Sequence, residues 1–305
     1  MQRRAFRPPP VWDDATLEKE HRKAVEAFIA ERSAEGGARY RAAFAANATL
    51  VRDLFNQTDD LLAFGSGTAL AQNPSLLQAA RYLSGPPVSA DDLDTLADTR
   101  IASRRRLDAD LSRRAGRIIE AALDRERLPW LFETPPRRPT AAERETAIRW
   151  TAGLQAAQQV QTARRSEAAT RQETAVEKVL LGLDFRKVAP RHIDAAGGLA
   201  RGEFSRESRV AGSKCDVPIG LRDGRFLFLE CKVSNSGTNS VKRLNREVGG
   251  KAPAWREEFG ARAITAAVLA GVFKLKNLQD AQAAGVVIFW EHDLISLADF
   301  LRAAA

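Results

Sequence analysis

Cysteine is scarce. Cys215 and Cys231 are the only two in 305 residues, which excludes a disulfide framework. Histidine is nearly as rare, with three scattered residues, so a Cys/His zinc cluster is excluded as well. Any metal should therefore be held by oxygen ligands. Long apolar runs are missing too: none approaches the roughly 18–20 residues of a membrane span. The opening MQRRAFRPPP lacks the apolar stretch of a secretory signal. A cytoplasmic protein without a membrane partner is expected. At 44% hydrophobic residues the chain is long enough for a sizeable core, in one large or two modest domains.

Positive charge outweighs negative, 47 Lys+Arg against 39 Asp+Glu. The sign alone says little, because 37 of the cations are Arg in an Ala- and Arg-biased sequence. Its distribution says more. Residues 164–251 hold 18 Lys+Arg and 11 Asp+Glu, which is seven of the eight net charges. Within them CKVSNSGTNSVKRLNR (231–246) has four cations and no acid. Such a patch suits a phosphate backbone, and equally a solvated cationic face.

Apolar residues recur at helical spacing over about 15–28, 40–55, 76–83 and 101–128, so the first part reads as mostly helical. PPRRP (135–139) is the clearest break, because proline cannot continue a helix. We place a helical N-terminal region at 1–140 and a second domain at 141–305, whose first helix runs to about Leu183. Beyond it the pattern changes. Lys214–Leu221 and Phe226–Val233 read as strands around RDGR, and Ala266–Phe273 and Val286–Trp290 are apolar runs of strand length. A helix at Asn277–Ala284 separates the last two, and a terminal helix starts near Ile295. The fold class is mixed α/β, a central sheet flanked by helices.

The first strand pair concentrates the chemistry. Glu230 and Lys232 are two apart, so their side chains leave one face of the strand. Whether Asp216 joins them depends on the turn. A two-residue turn at Asp223-Gly224 sets Asp216 opposite Cys231, on the other face. A three-residue loop 222–224, with Gly224 at positive φ, sets it opposite Glu230. Two facing carboxylates among apolar neighbours require a cation, and Mg²⁺ fits oxygen donors, with the Cys231 carbonyl as a further ligand. Lys232 would then orient or help deprotonate an attacking water and stabilise charge on a phosphate. An isolated Glu-x-Lys is ordinarily just alternation on a solvated strand. The facing Asp and the basic segment that follows are what give it weight.

That segment offers Ser234, Asn235, Ser236, Asn239 and Ser240 as short hydrogen-bonding side chains around Gly237. Asn239 or Ser240 could cap a helix beginning near Val241. Lys242, Arg243 and Arg246 would follow as phosphate contacts, or for Arg243 a bidentate reader of guanine. Trp255 and Trp290 are expected in the core or an interface, and His292 in a structural role. Arg104, Arg105, Arg106, Arg113 and Arg114 are expected on a solvated helix face.

Asp216 followed by Glu230-Cys231-Lys232 in a hairpin, with a helix before and helix and strand after, resembles the PD-(D/E)xK nuclease superfamily. Cys215 stands where that motif usually has proline. The text ECKVSNSGTNSVKRLNRE, KAPAWREEFG, AAVLAGVF and VVIFWEHDL resembles type II restriction endonucleases of the XamI type. The resemblance is clearest over about 165–305 and weaker in the helical first part.

The resemblance implies a restriction-endonuclease-like core with Asp216 and Glu230 as metal ligands and Lys232 as catalytic lysine. It also implies a glutamate on the preceding helix near the metal. Glu173 and Glu177 lie one turn apart in RQETAVEKVLLGL, and Glu173 better fits the superfamily spacing. It further implies double-strand cleavage of DNA at a short palindromic site, GTCGAC-like, by a homodimer working beside a cognate DNA methyltransferase. The helical first part would embrace DNA or form the dimer. A structure-directed repair or recombination nuclease, an inactive DNA-binding module on the same scaffold, and a helical assembly factor are the alternatives.

Overall fold

The computed structural model describes residues 6–35, 37–241, 244 and 247–304. The chain forms two compact units, one of Met1–Ala34 with Arg164–Ala305 and one of Glu35–Ala163. The proline-rich break falls just before a helix that begins at Ala141, and the units divide inside that helix, at 163/164.

The chain opens with α1 (Asp14–Glu35). The helical unit follows, with α2 (Ala38–Gln57), the short α3 (Thr68–Gln72) and α4 (Leu76–Ala80), α5 (Ala90–Leu96), α6 (Ala109–Glu120) and the first part of α7 (Ala141–Gly182). Val51, Leu54 and Phe55 of α2 bury one face against Leu70, Leu77, Trp130 and Ile148. The single long helix expected over 101–128 is cut down to α6. Asp108 caps it by accepting from the amides of Asp110 and Leu111, and residues 121–128 turn away. Arg113 and Arg114 are exposed on α6, and Arg104, Arg105 and Arg106 are exposed ahead of it, outside any helix.

The other unit is built on a six-stranded sheet. Its strands are β1 (Arg186–Val188), β3 (Glu203–Ser205), β6 (Val217–Gly220), β7 (Phe226–Ser234), β8 (Ala263–Gly271) and β9 (Val287–Trp290). They lie in the order β1-β3-β6-β7-β8-β9, with β7, β8 and β9 parallel and the β3–β6 and β6–β7 pairs antiparallel. A smaller sheet joins β2 (His192–Ile193), β4 (Ser208–Val210) and β5 (Ser213–Cys215). The remaining helices are α8 (Gly237–Val241), α9 (Ala252–Phe259), α10 (Leu275–Ala283) and α11 (Ile295–Ala303).

Strand alternation sorts the core into layers. Leu227, Leu229, Cys231, Ala266, Val268, Val287 and Phe289 face Val176 and Leu180 of α7 and Leu297 and Leu301 of α11. On the reverse face Ala267, Leu269, Ile288 and Trp290 meet Leu17 and Ala24 of α1 and Leu278 of α10. Beside them Phe228 packs on Trp255 and Phe259 of α9 and on Val210 and Cys215 of the small sheet. Buried on both faces, β8 from Ala266 onward and β9 read as apolar runs, as parallel strands do.

Candidate active site

The hairpin loop decides where Asp216 goes. Leu221 N–H donates to the Arg225 carbonyl at 2.8 Å, and Gly224 closes the turn at φ +93°. This is the three-residue loop, and it sets the register Gly220 to Phe226, Ile219 to Leu227, Pro218 to Phe228 and Val217 to Leu229. One step further brings Asp216 level with Glu230. The ladder stops there, because the chain bends at Asp216 and its carboxylate takes the Cys231 N–H at 2.8 Å.

Glu230 and Lys232 continue the face that carries Phe226 and Phe228. Lys232 Nζ lies 2.8 Å from Asp216 Oδ2 and 2.8 Å from Glu230 Oε2. A second ammonium, Lys251 Nζ, donates to Glu230 Oε2 at 2.9 Å and to the Lys214 carbonyl at 2.7 Å. Glu230 is fully buried, and its Oε1 finds no hydrogen-bond partner among the described residues. Burial pushes the Glu230 carboxyl above the usual range and Asp216 adds to that, while Lys232 and Lys251 work against it. Burial alone would lower the Lys232 ammonium, but Glu230 and Asp216 together raise it, so it stays charged.

The two candidate helix glutamates differ in company. Glu177 is held by Lys187 at 2.5 Å and by Arg206 Nε at 2.6 Å. Among the described residues Glu173 receives Arg206 Nη1 alone, at 2.7 Å, on Oε2. Burial pushes the Cys231 thiol well up, and the charges of Asp216 and Glu173 reinforce it. Lys187, Arg206 and Lys251 escaped sequence reasoning. Their partners lie 10 to 33 residues away along the chain, and no local spacing announces such pairs.

The bend at Asp216 sends Cys215 to the Phe228–Trp255 layer, while Cys231 faces α7. One expectation needs correction. The helix expected near Val241 starts at Gly237, so Ser240 lies inside α8 rather than capping it. There the Ser240 hydroxyl donates to the Gly237 carbonyl at 2.5 Å and accepts from Asn277 Nδ2 at 2.8 Å.

Of the other residues singled out for DNA, Ser234 is buried and donates to the Ser236 carbonyl at 2.8 Å. Asn235 is exposed and Ser236 half-buried. The Asn239 side chain and Lys242, Arg243 and Arg246 lie outside the described residues. Trp255 and Trp290 are fully buried, and His292 pairs with Glu20 at 2.8 Å, a structural arrangement.

Among the described residues no cluster of three or more His, Cys, Asp or Glu side chains is arranged to hold a metal ion. The donor set at the hairpin is smaller: two carboxylates, one with a buried oxygen that has no partner among the described residues, and the Lys214 carbonyl on the shared Lys251 ammonium. A hard divalent cation suits such oxygens. Among the described residues no helix is long and apolar enough to cross a membrane.

Comparison with known proteins gives this geometry a context. The XamI restriction endonuclease family matches residues 62–290. The type II restriction enzyme XamI of Xanthomonas campestris pv. amaranthicola is 36% identical over 263 residues, which covers 83% of this chain and 93% of that protein. No solved structure matches. With a family match over most of its length and a relative aligned nearly end to end, the chain belongs to the XamI restriction endonuclease family, type II restriction endonucleases that act on DNA.

Proposed function

We propose that the protein is an Mg²⁺-dependent type II site-specific deoxyribonuclease that makes double-strand cuts at a short palindromic, GTCGAC-like site. The observation that carries this reading is the Asp216–Glu230–Lys232 cluster, with the buried Oε1 of Glu230 lacking a partner among the described residues. Asp216, Glu230 and the Cys231 carbonyl would hold the cation. When bound, such a cation polarises the scissile phosphate and eases deprotonation of water. Lys232 keeps its proton at Nζ, and from there orients the attacking water and offsets charge growing on the phosphate oxygens. Glu173 supplies the helix carboxylate, and Glu177 remains in its ion pairs with Lys187 and Arg206.

A palindromic site calls for a two-fold homodimer, each protomer cutting one strand. The polar segment 234–240 and the cations Lys242, Arg243 and Arg246 would meet DNA beside the cut. The helical region up to residue 140 would embrace the duplex or pair the protomers. Self-restriction would be prevented by a cognate DNA methyltransferase in the same cytoplasm.

The test is incubation of unmethylated phage or plasmid DNA with protein and Mg²⁺, beside an EDTA control and Asp216→Ala. Discrete bands are expected, lost with EDTA and reduced by at least about a hundredfold in rate with the variant. A smear would favour a structure-directed nuclease. Cutting that persists in Asp216→Ala would remove Asp216 from the site, and uncut DNA throughout would leave only a binding module.

A further inference from the structure

Lys251 has no part in the chemistry just described, yet it sits on the same carboxylate oxygen as Lys232. It enters from a different element, at the residue before α9. Its place is fixed by packing: Trp255 and Phe259 of α9 bury themselves against Phe228, and Trp255 Nε1 donates to the Val210 carbonyl at 3.2 Å. The Lys251 ammonium lies 5.9 Å from the Trp255 ring centroid.

The four charges of Asp216, Glu230, Lys232 and Lys251 cancel. At full burial Glu230 has both ammonium groups on its Oε2. A divalent cation added to the same oxygens would leave two surplus positive charges in a poorly solvated site. One ammonium must then give way. Lys232 is clasped by both carboxylates and its side chain is 11% exposed, whereas Lys251 is held by one carboxylate and a carbonyl and is 22% exposed. Lys251 is the looser of the two and the nearer to water.

Building on the metal-site reading above, we propose that Lys251 is a placeholder cation. It neutralises Glu230 in the metal-free protein and competes with the divalent ion for Glu230 Oε2. It is thus a positioning residue that sets the metal concentration at which the site loads. Binding of the ion and the Lys251–Glu230 contact are mutually exclusive.

The experiment is calorimetric titration of Mg²⁺ into DNA-free protein, comparing wild type with Lys251→Ala, Lys251→Gln, Lys251→Arg and Asp216→Ala, with thermal melts at each stage. Removing the competing charge should tighten Mg²⁺ binding by about threefold or more in Lys251→Ala and Lys251→Gln, and Lys251→Arg should behave as wild type. The melting temperature of both neutral variants should fall without Mg²⁺ and recover more on its addition than that of wild type. Unchanged or weaker Mg²⁺ binding in folded neutral variants would overturn the placeholder role. If Asp216→Ala binds Mg²⁺ as wild type does, the metal site itself has been misplaced, a different failure from the first.

Discussion

At the scale of residues, the site is a set of charges whose partners decide their roles. Glu173 and Glu177 are one turn apart and chemically identical, yet two cations saturate Glu177 and one engages Glu173. Glu173→Gln should therefore lower the cleavage rate by about a hundredfold, with little change in melting temperature. Glu177→Gln should do the reverse, leaving the rate within about threefold while loosening the Arg206 and Lys187 contacts and lowering the melting temperature by roughly 2–4 °C. Single-turnover rates on a short duplex, run beside thermal melts, separate the two. Equal loss of rate in both variants would contradict the assignment. That Glu230 and Lys232 share a face was legible in the sequence, because a strand's two-residue period fixes it, whereas Asp216 was tied to them only through the choice of turn. Lys251 and Arg206 were not legible, because their ion pairs depend on how α9 and the β3–β4 region pack.

At the scale of elements, the hairpin was legible up to a choice of turn, which Gly224 resolved, but the strand expected over 214–221 is split by the bend at Asp216 into β5 and β6, in different sheets. The long apolar strands and the helix between them were legible within a few residues. The strands β1 to β4 were missed, being two or three residues each, too short for alternation to show. Backbone approach matters most where β7 and β8 end. Gly271 has φ +86°, and a Cβ there would lie 2.2 Å from the Ser234 carbonyl oxygen, the same atom that accepts from Val272 N–H at 2.7 Å. Gly271→Ala should cost at least about 2 kcal/mol, from the left-handed backbone and from forcing the two strand ends apart. Because Lys232 is two residues before Ser234, cleavage should fall beyond what the loss of folded protein explains. Urea unfolding with a rate measurement on the folded fraction checks this, and a neutral substitution would show that the strand ends have slack.

At the scale of the whole molecule, most of the net charge belongs to residues 164–251, the part of the chain that also carries the hairpin acids. Many of its cations are spent internally: Arg171, Lys187, Arg206, Lys232 and Lys251 all hold carboxylates. The surplus remains for phosphates. Binding to a short cognate duplex with the metal chelated should weaken linearly in log–log terms as salt rises. A slope steeper than about −4 is expected, at roughly −0.9 for each phosphate neutralised. A shallow slope would mean that the basic segment does not track the backbone. The fold class was legible from the order of patterns along the chain, whereas the division inside α7 was not, since a helix keeps its period across such a boundary. The bend at Asp216 also has a consequence for redox chemistry. By sending the two thiols to opposite sides of the sheet, each buried, it denies them the facing geometry a bridge requires. The hairpin that holds the acids is thereby indifferent to oxidants, and the enzyme should keep its activity in buffers without reductant.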